Sequence, residues 1–414
     1  MTEKGAALHG IRVLELADEK GEFCGKLFAD MGADVVKIEP PGGSPTRRIG
    51  PFKDDLPHLD RSLHFWHYNT SKRGITLNLE TVDGREIFKR LVEKADLLIE
   101  TFPPGYIGRL KLGYEQLSQI NPRLVMVSIT PFGQTGPYKE YQTTDLTALA
   151  MGGPIDVCGY DEPETLPVRG EGGQSYHVGG IYAFIGALIT LVYRQMTGEG
   201  QHIDTSIHEC LAGTVERSNI FYNYSQLLLR RQTGRHAHFQ GPFPTPQTQY
   251  LCKDGRFVNI SLPRDTRTWN LFVEWLDQKG MAADLKDERY QDPAFRQGQR
   301  HHISEVIGAF CAAHRSDEIF HGGQKRELSW GVVFAPDELL HDPHFRERGF
   351  WAEVEHPELQ QSFTYPGAPY LFHETPWQIS RRAPLLGEHN LEIYQGELGF
   401  SKQQLTMLAE GKVI

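Results

Sequence analysis

Apolar positions in the first half of the chain alternate between two rhythms. GIRVLELA (10–17) and ADVVKIE (33–39) read as strands, and GITLNL (74–79) has the same character. ADLLIET (95–101) and LVMVSIT (124–130) are short apolar runs of the kind buried on both faces in parallel sheets. Between them, residues 22–32 and 83–95 keep a helical period, with Ile87, Phe88, Leu91 and Val92 on one face. Such alternation predicts a doubly wound α/β domain. Farther on, EGGQSYHVGG (171–180) leads into IYAFIGALITLVY (181–193), which predicts a buried helix over 178–196. A glycine-rich helix start lets a ligand approach the backbone, where unpaired amides attract anions. GQHIDTSI (200–207) then reads as one more strand, followed by a long helix to about Arg231.

The second half departs from this pattern. Prolines and glycines interrupt RHAHFQGPFPTPQTQ (235–249), and QYLCKDGRFVNISL reads as a hairpin around Lys253-Asp254-Gly255. Helical patterns continue to about Arg326, so 226–329 is expected to form a smaller α+β domain. WGVVFAP (330–336) resembles a return to the first sheet, which would build the large domain from 1–225 and 330–414. Ser401 and Gln404 have the spacing of a capping box, opening a last helix that ends near Gly411.

Composition narrows the chemistry. At 414 residues the chain is long enough for two domains. A net charge of −10 disfavours a nucleic-acid partner while leaving room for a local basic pocket. Cys24, Cys158, Cys210, Cys252 and Cys311 have no paired spacing, which suggests neither disulfides nor a metal site and points to the cytoplasm. The start, MTEKGAALHG, lacks the apolar region of a signal peptide, and 178–193 is short for a membrane span, so no membrane partner is expected.

Familiar catalytic signatures are missing: there is no GxxxxGK[ST], HExxH, CxxC or GxSxG, and no GxGxxG after the first strand. HLDRSLHFWHY (58–68) is rich in histidine and aromatics and suits a metal or a stacking site. Lys72-Arg73 would suit a phosphate, or form a solvated pair. PFGQTGPY (131–138) is a glycine–proline loop at the end of a strand, where open α/β sheets place ligands. Asp145 follows it and reads either as a helix N-cap or as a carboxylate facing an acyl site.

Several segments together resemble the family III CoA-transferases, the group of formyl-CoA transferase, carnitine CoA-transferase and 2-methylacyl-CoA racemase. They are FADMGADVVKIEPPGG, NTSKRGITLNLET, ADLLIETFPPGYIGRLKLGYEQLSQINPRLVMVSITPFGQTGPY, RQMTGEGQHIDTSI, LLHDPHFRERGF and APLLGEHN, in family order from about 10 to 390. The resemblance implies a Rossmann-like large domain from both chain ends, a small domain between, and two chains interlocked as a dimer. It implies no tightly bound cofactor and no metal; coenzyme A or acyl-CoA enters as substrate, with a carboxylic acid as the second reactant. By matching segments, Asn69, Lys72, Arg73, Thr101, Phe102 and Arg109 would contact CoA.

In the transferases an aspartate attacks the acyl-CoA carbonyl, and the matching position here, counted back from TGEGQ, is Tyr176. A phenol with a pKa near 10 does not replace a carboxylate. His177 is its neighbour and Glu171 the nearest acid, five residues upstream. Thr144 stands where the racemases have their histidine, EKGE (19–22) where a QAGP-like turn is usual, and Pro40 where some members have arginine. The expected function is therefore one subunit of a heteromeric CoA-transferase of the succinyl-CoA:benzylsuccinate type. It would move CoA to an aromatic or branched acid, with the nucleophile on a related chain. Alternatives are a self-sufficient homodimeric transferase or acyl-CoA isomerase using Asp145 or Glu171, and a non-catalytic acyl-CoA-binding or assembly protein.

Overall fold

A computed structural model describes residues 5–160, 164–231, 238–239 and 247–414. Its first half alternates strand and helix: β1 (Arg12–Leu16), α1 (Glu22–Asp30), β2 (Asp34–Glu39), α2 (Leu63–Tyr68), β3 (Arg73–Thr76), α3 (Val82–Val92) and β4 (Leu97–Glu100). Then come α4 (Tyr106–Arg109), α5 (Tyr114–Ile120), β5 (Val125–Thr130), α6 (Asp145–Gly152), α7 (Gln174–Thr197), β6 (His202–Ser206) and α8 (Ile207–Thr214). The six strands form one parallel sheet in the order β3-β2-β1-β4-β5-β6. The order reverses beside β1, so a crevice opens at the carboxyl ends of the strands. Strand residues such as Leu14, Val36, Leu98 and Met126 are buried with the inner face of α3, Ile87, Phe88 and Leu91. Each such side chain contributes roughly 1.5–3 kcal/mol of burial. Ser62 and Thr81 begin α2 and α3 by accepting from Phe65 N–H and Gly84 N–H.

The α7 helix is buried on one face only, a difference from the buried helix the apolar run predicts. Gly179, Gly180, Ala183, Ala187 and Leu191 face inward. A Cβ on Gly179 would lie 2.8 Å from Ile207, so glycine here serves the close approach of α7 and α8. The opposite face leaves Ile181, Ile185, Ile189, Val192 and Met196 exposed.

Two compact units divide the chain: residues 1–152, 171–214 and 343–414, and residues 153–170 with 215–342. The first unit thus draws on both ends of the sequence. Its last segment adds short helical turns and a hairpin, Trp351–His356 against Gln361–Pro366, and closes with Lys402–Glu410 behind the Ser401–Gln404 capping box. The second unit contains the hairpin Gln249–Leu251 and Phe257–Ile260, as its turn residues predict. Trp330–Val332 pairs antiparallel with Phe257–Ile260 instead of returning to the first sheet. An apolar run does not encode which sheet it joins, and Trp330 is a core residue of the second unit with Trp269, Trp275 and Phe310. The long helix expected to Arg231 is broken at Val215 and stops at Ser225. Most of the 235–249 stretch lies outside the described residues.

Candidate active site

A cavity of about 760 Å³ occupies the crevice at the strand ends of the first unit. Asp18 and Lys20 reach it from the turn after β1, Pro40 from β2, Leu77–Glu80 from β3, and Lys139–Thr143 from the loop after β5. Thr101, Phe102 and Arg109, three of the expected CoA contacts, line it from the segment after β4. Thr101 Oγ1 accepts from Asp18 N–H at 2.9 Å and donates to Asp18 Oδ1 at 2.8 Å, tying two strand ends together. Phe102 and Tyr106 lie ring to ring at 4.7 Å, with the Arg109 guanidinium 5.6 Å from the Tyr106 ring. An aromatic wall beside an exposed guanidinium suits a base or sugar next to a phosphate.

The other three expected contacts lie elsewhere. Lys72 is fully buried; its Nζ is 2.7 Å from Glu15 Oε2 and donates to Asn69 Oδ1 and Glu22 O, each at 3.0 Å. Asn69, also buried, is thus committed to that lysine. Burial lowers the Lys72 pKa, with Glu15 opposing and Lys37 adding to the shift. Glu22 in turn holds Lys37 at 2.7 Å, and Arg47 holds Glu39. So Glu22 of the EKGE turn spends its charge inside the protein. A side chain at Gly25 would collide with Glu15 Oε2 at 1.5 Å, which reserves that position for glycine. Arg73 points away from the cavity into Asp34, Glu392 and Glu397, at 2.6–2.7 Å. These cations are held by carboxylates far away in sequence, which an NxxKR spacing does not reveal.

The start of α7 gathers the acyl-site candidates. Gly173, the residue before the helix, has no side chain to cap it. Asp145 takes that role, its Oδ1 accepting from Ser175 N–H and Ser175 Oγ–H at 2.8 Å each. The Tyr176 phenol is half-buried near Asp145; burial and the charges of Glu19, Asp145 and Asp18 push its pKa up, keeping it protonated. Burial, assisted by Asp18, likewise raises the Glu19 carboxyl. His177 Nε2 and Tyr68 Oη are 2.7 Å apart, and Phe23 stacks on the imidazole at 4.5 Å. Burial lowers the His177 pKa, with Asp145 opposing. Glu171 is exposed in the turn before α7, and Thr144 precedes Asp145 at the surface.

In the histidine-rich 58–68 segment the rings meet tilted or edge-on. His64 and His67 each lie 4.6 Å from the Tyr68 ring. Among the described residues, no three His, Cys, Asp or Glu side chains are placed to hold a metal. Two features escaped the sequence reading. Lys139 and Tyr141 close the cavity from the loop after β5. Glu100, a charged residue ending an apolar strand, is buried behind Phe102, and its isolation in LLIE was the available signal.

The open parallel sheet, its strand-end crevice and the cluster at the start of α7 define an α/β protein with a candidate ligand site at the carboxyl ends of its strands. Residues 8–390 match CoA-transferase family III, and the chain belongs to that family. It is 36% identical to the succinyl-CoA:(R)-benzylsuccinate CoA-transferase subunit BbsE of Thauera aromatica, over 92% of each chain. With the succinyl-CoA–D-citramalate CoA-transferase of Chloroflexus aurantiacus it shares 32% identity over 98% of each. Among solved structures, a CAIB/BAIF family protein from Brucella suis is similar at a TM-score of 0.81 and 30% identity, covering 95% of this chain and 99% of that one.

Proposed function

We propose that the chain is one subunit of a heteromeric CoA-transferase, binding acyl-CoA along its Rossmann-like unit while a related, interlocked chain supplies the nucleophilic carboxylate. The donor is of succinyl-CoA type and the acceptor an aromatic or branched carboxylic acid. Thr101, Phe102 and Arg109 hold the nucleotide end of CoA. Tyr176 carries the reading: it stands at the family's nucleophile position as a phenol held protonated by burial and by flanking carboxylates.

Transfer needs a carboxylate because each intermediate must keep the acyl group activated. A carboxylate oxygen attacks the thioester carbonyl, forming a mixed anhydride and releasing CoA thiolate. The thiolate then attacks the enzyme's own acyl carbon, freeing the donor acid and leaving an enzyme thioester. The acceptor carboxylate repeats the sequence in reverse and leaves as its CoA ester. A protonated phenol offers neither the nucleophile nor the anhydride.

The position of Asp145 beside Tyr176 favours a second reading, a homodimer that uses Asp145 itself. Native mass spectrometry of untagged protein from its own source separates the two. A complex with an unlike chain of similar mass, inactive when either chain is absent, supports the heteromer. A homodimer exchanging CoA at enzymatic rates overturns it.

A further inference from the structure

Glu100 closes β4 with its side chain buried, 1% exposed, opposite Ser128 on β5 and Leu16 on β1. Its Oε2 accepts from Phe102 N–H at 2.7 Å, so the carboxyl fixes the backbone that presents Thr101 and Phe102 to the cavity. Ser128, the register partner of Glu100 on β5, is also buried, which sets the serine hydroxyl on the neighbouring strand beside the carboxyl. On its other side, Ser128 Oγ is 2.8 Å from His202 Nε2. His202 sits at the surface of β6, its ring stacked on Tyr114 at 5.9 Å. The charged groups facing Glu100 are Asp18, in the turn after β1, and Asp204 on β6. Burial first, then these carboxylates, push its pKa up to about 7, against the pull of Ser128 and Phe102 N–H.

Glu100 and Ser128 are register partners on adjacent strands, and Ser128 Oγ reaches His202, so the three side chains lie in a row from the buried acid to the protein surface. With Glu100 ionised, a proton path along this row would have His202 Nε2–H donating to Ser128 Oγ and the serine hydroxyl donating to the carboxylate. With Glu100 protonated, both bonds reverse: the acid donates to Ser128 and Ser128 to the bare Nε2. A proton taken up at Nδ1 of His202 thus becomes one on Glu100, with the imidazole changed only in tautomer.

We propose that Glu100 is a positioning residue for the nucleotide end of the site, exchanging its proton through Ser128 and His202, and that its ionisation tunes acyl-CoA affinity. This rests on the reading that the cavity binds CoA. The sign follows from charge. A bound polyanion disfavours a nearby carboxylate, whereas the neutral acid still accepts from Phe102 N–H through its carbonyl oxygen. Binding therefore takes up a proton, and affinity falls as pH rises through about 7.

The test is calorimetric titration of the full chain, in its native assembly, with CoA across that pH range. CoA's own phosphate titrates near about pH 6, so wild type is compared with Glu100→Gln. Glutamine keeps the acceptor for Phe102 N–H and a donor for Ser128, and cannot ionise. Wild type should lose up to about tenfold in affinity relative to Glu100→Gln on going from acid to alkaline pH, one pKa unit of coupling being tenfold. Glu100→Ala should bind more weakly at every pH, and glutamine should restore that affinity. Parallel profiles for wild type and Glu100→Gln overturn the proposal. So does infrared difference titration of the ligand-free protein if no Glu100 carboxyl band changes near neutrality. If wild type binds no CoA at any pH while that band does titrate, the CoA-binding reading itself has failed, and the affinity role with it.

Discussion

Asp145, the first residue of α6, caps α7: its Oδ1 accepts both the backbone N–H and the hydroxyl of Ser175 at 2.8 Å. A carboxylate at a helix N-terminus also meets the positive end of the helix dipole. Removing it by Asp145→Ala should cost about 0.5–2 kcal/mol, the usual range for a lost cap, read as a lower urea midpoint. Asparagine keeps an oxygen acceptor, so Asp145→Asn should stay within roughly 0.5 kcal/mol of wild type. On the proposed heteromer reading, Asp145→Asn should still exchange CoA. A well-folded Asp145→Asn enzyme with no exchange would instead make Asp145 the nucleophile.

Lys72 and Arg109 should fail in different ways. Lys72 lies against buried Glu15, and truncating one partner of a buried pair costs roughly 3–5 kcal/mol because the other charge is left unpaired. Lys72→Ala is expected to unfold at far lower denaturant than wild type. Arg109 is exposed at the cavity rim, so Arg109→Ala should leave the urea midpoint unchanged. Its loss should weaken CoA binding by about 1.5–3 kcal/mol, the range for a hydrogen bond to a charged group. A stable Lys72→Ala variant with weak CoA binding would move Lys72 back into the phosphate site.

That contrast marks how far the sequence could be read. The inner strands were legible because parallel strands buried on both faces must be nearly continuous runs of Val, Ile and Leu, as in LLIE and VMVSIT. The α7 start stood out as a candidate site because Gly, Tyr and His crowd there. The partners were not: Lys72 finds Glu15 at 57 residues' separation, and Asp145 finds Ser175 at 30. Neither distance leaves a local spacing to detect. Trp330–Val332 reads as a strand in either sheet, and only packing against Trp275 and Phe272 decides which.

His67 should make the fold sensitive to acid. Burial, then Lys26, His177 and His64, lower its pKa from 6.5 to about 3. The unfolded chain therefore binds the proton first. Stability from this group is complete above pH 6.5 and falls as pH drops from there towards about 3. His67→Gln should flatten that slope. Urea unfolding at about pH 7 and about pH 5 measures it; equal losses in wild type and variant would remove His67 as the cause.

The exposed face of α7 should be where the second chain sits. Ile181, Ile185, Ile189, Val192 and Met196 recur at helical spacing on one side, with Ile189 65% and Met196 82% exposed. A contiguous apolar stripe of this length is costly in water, and patches of this kind are characteristic of protein–protein interfaces. The helix is also long and apolar enough to cross a bilayer, yet its other face packs on α1, α6 and α8 within the first unit. Ile189→Glu changes no buried contact of the single chain, so the variant should fold but burying its charge in an interface should cost several kcal/mol. Native mass spectrometry should then find it mainly as single chains at concentrations where wild type is assembled. With the nucleophile on the partner, as proposed, CoA exchange should disappear together with assembly. An Ile189→Glu protein that assembles normally would place the second chain elsewhere.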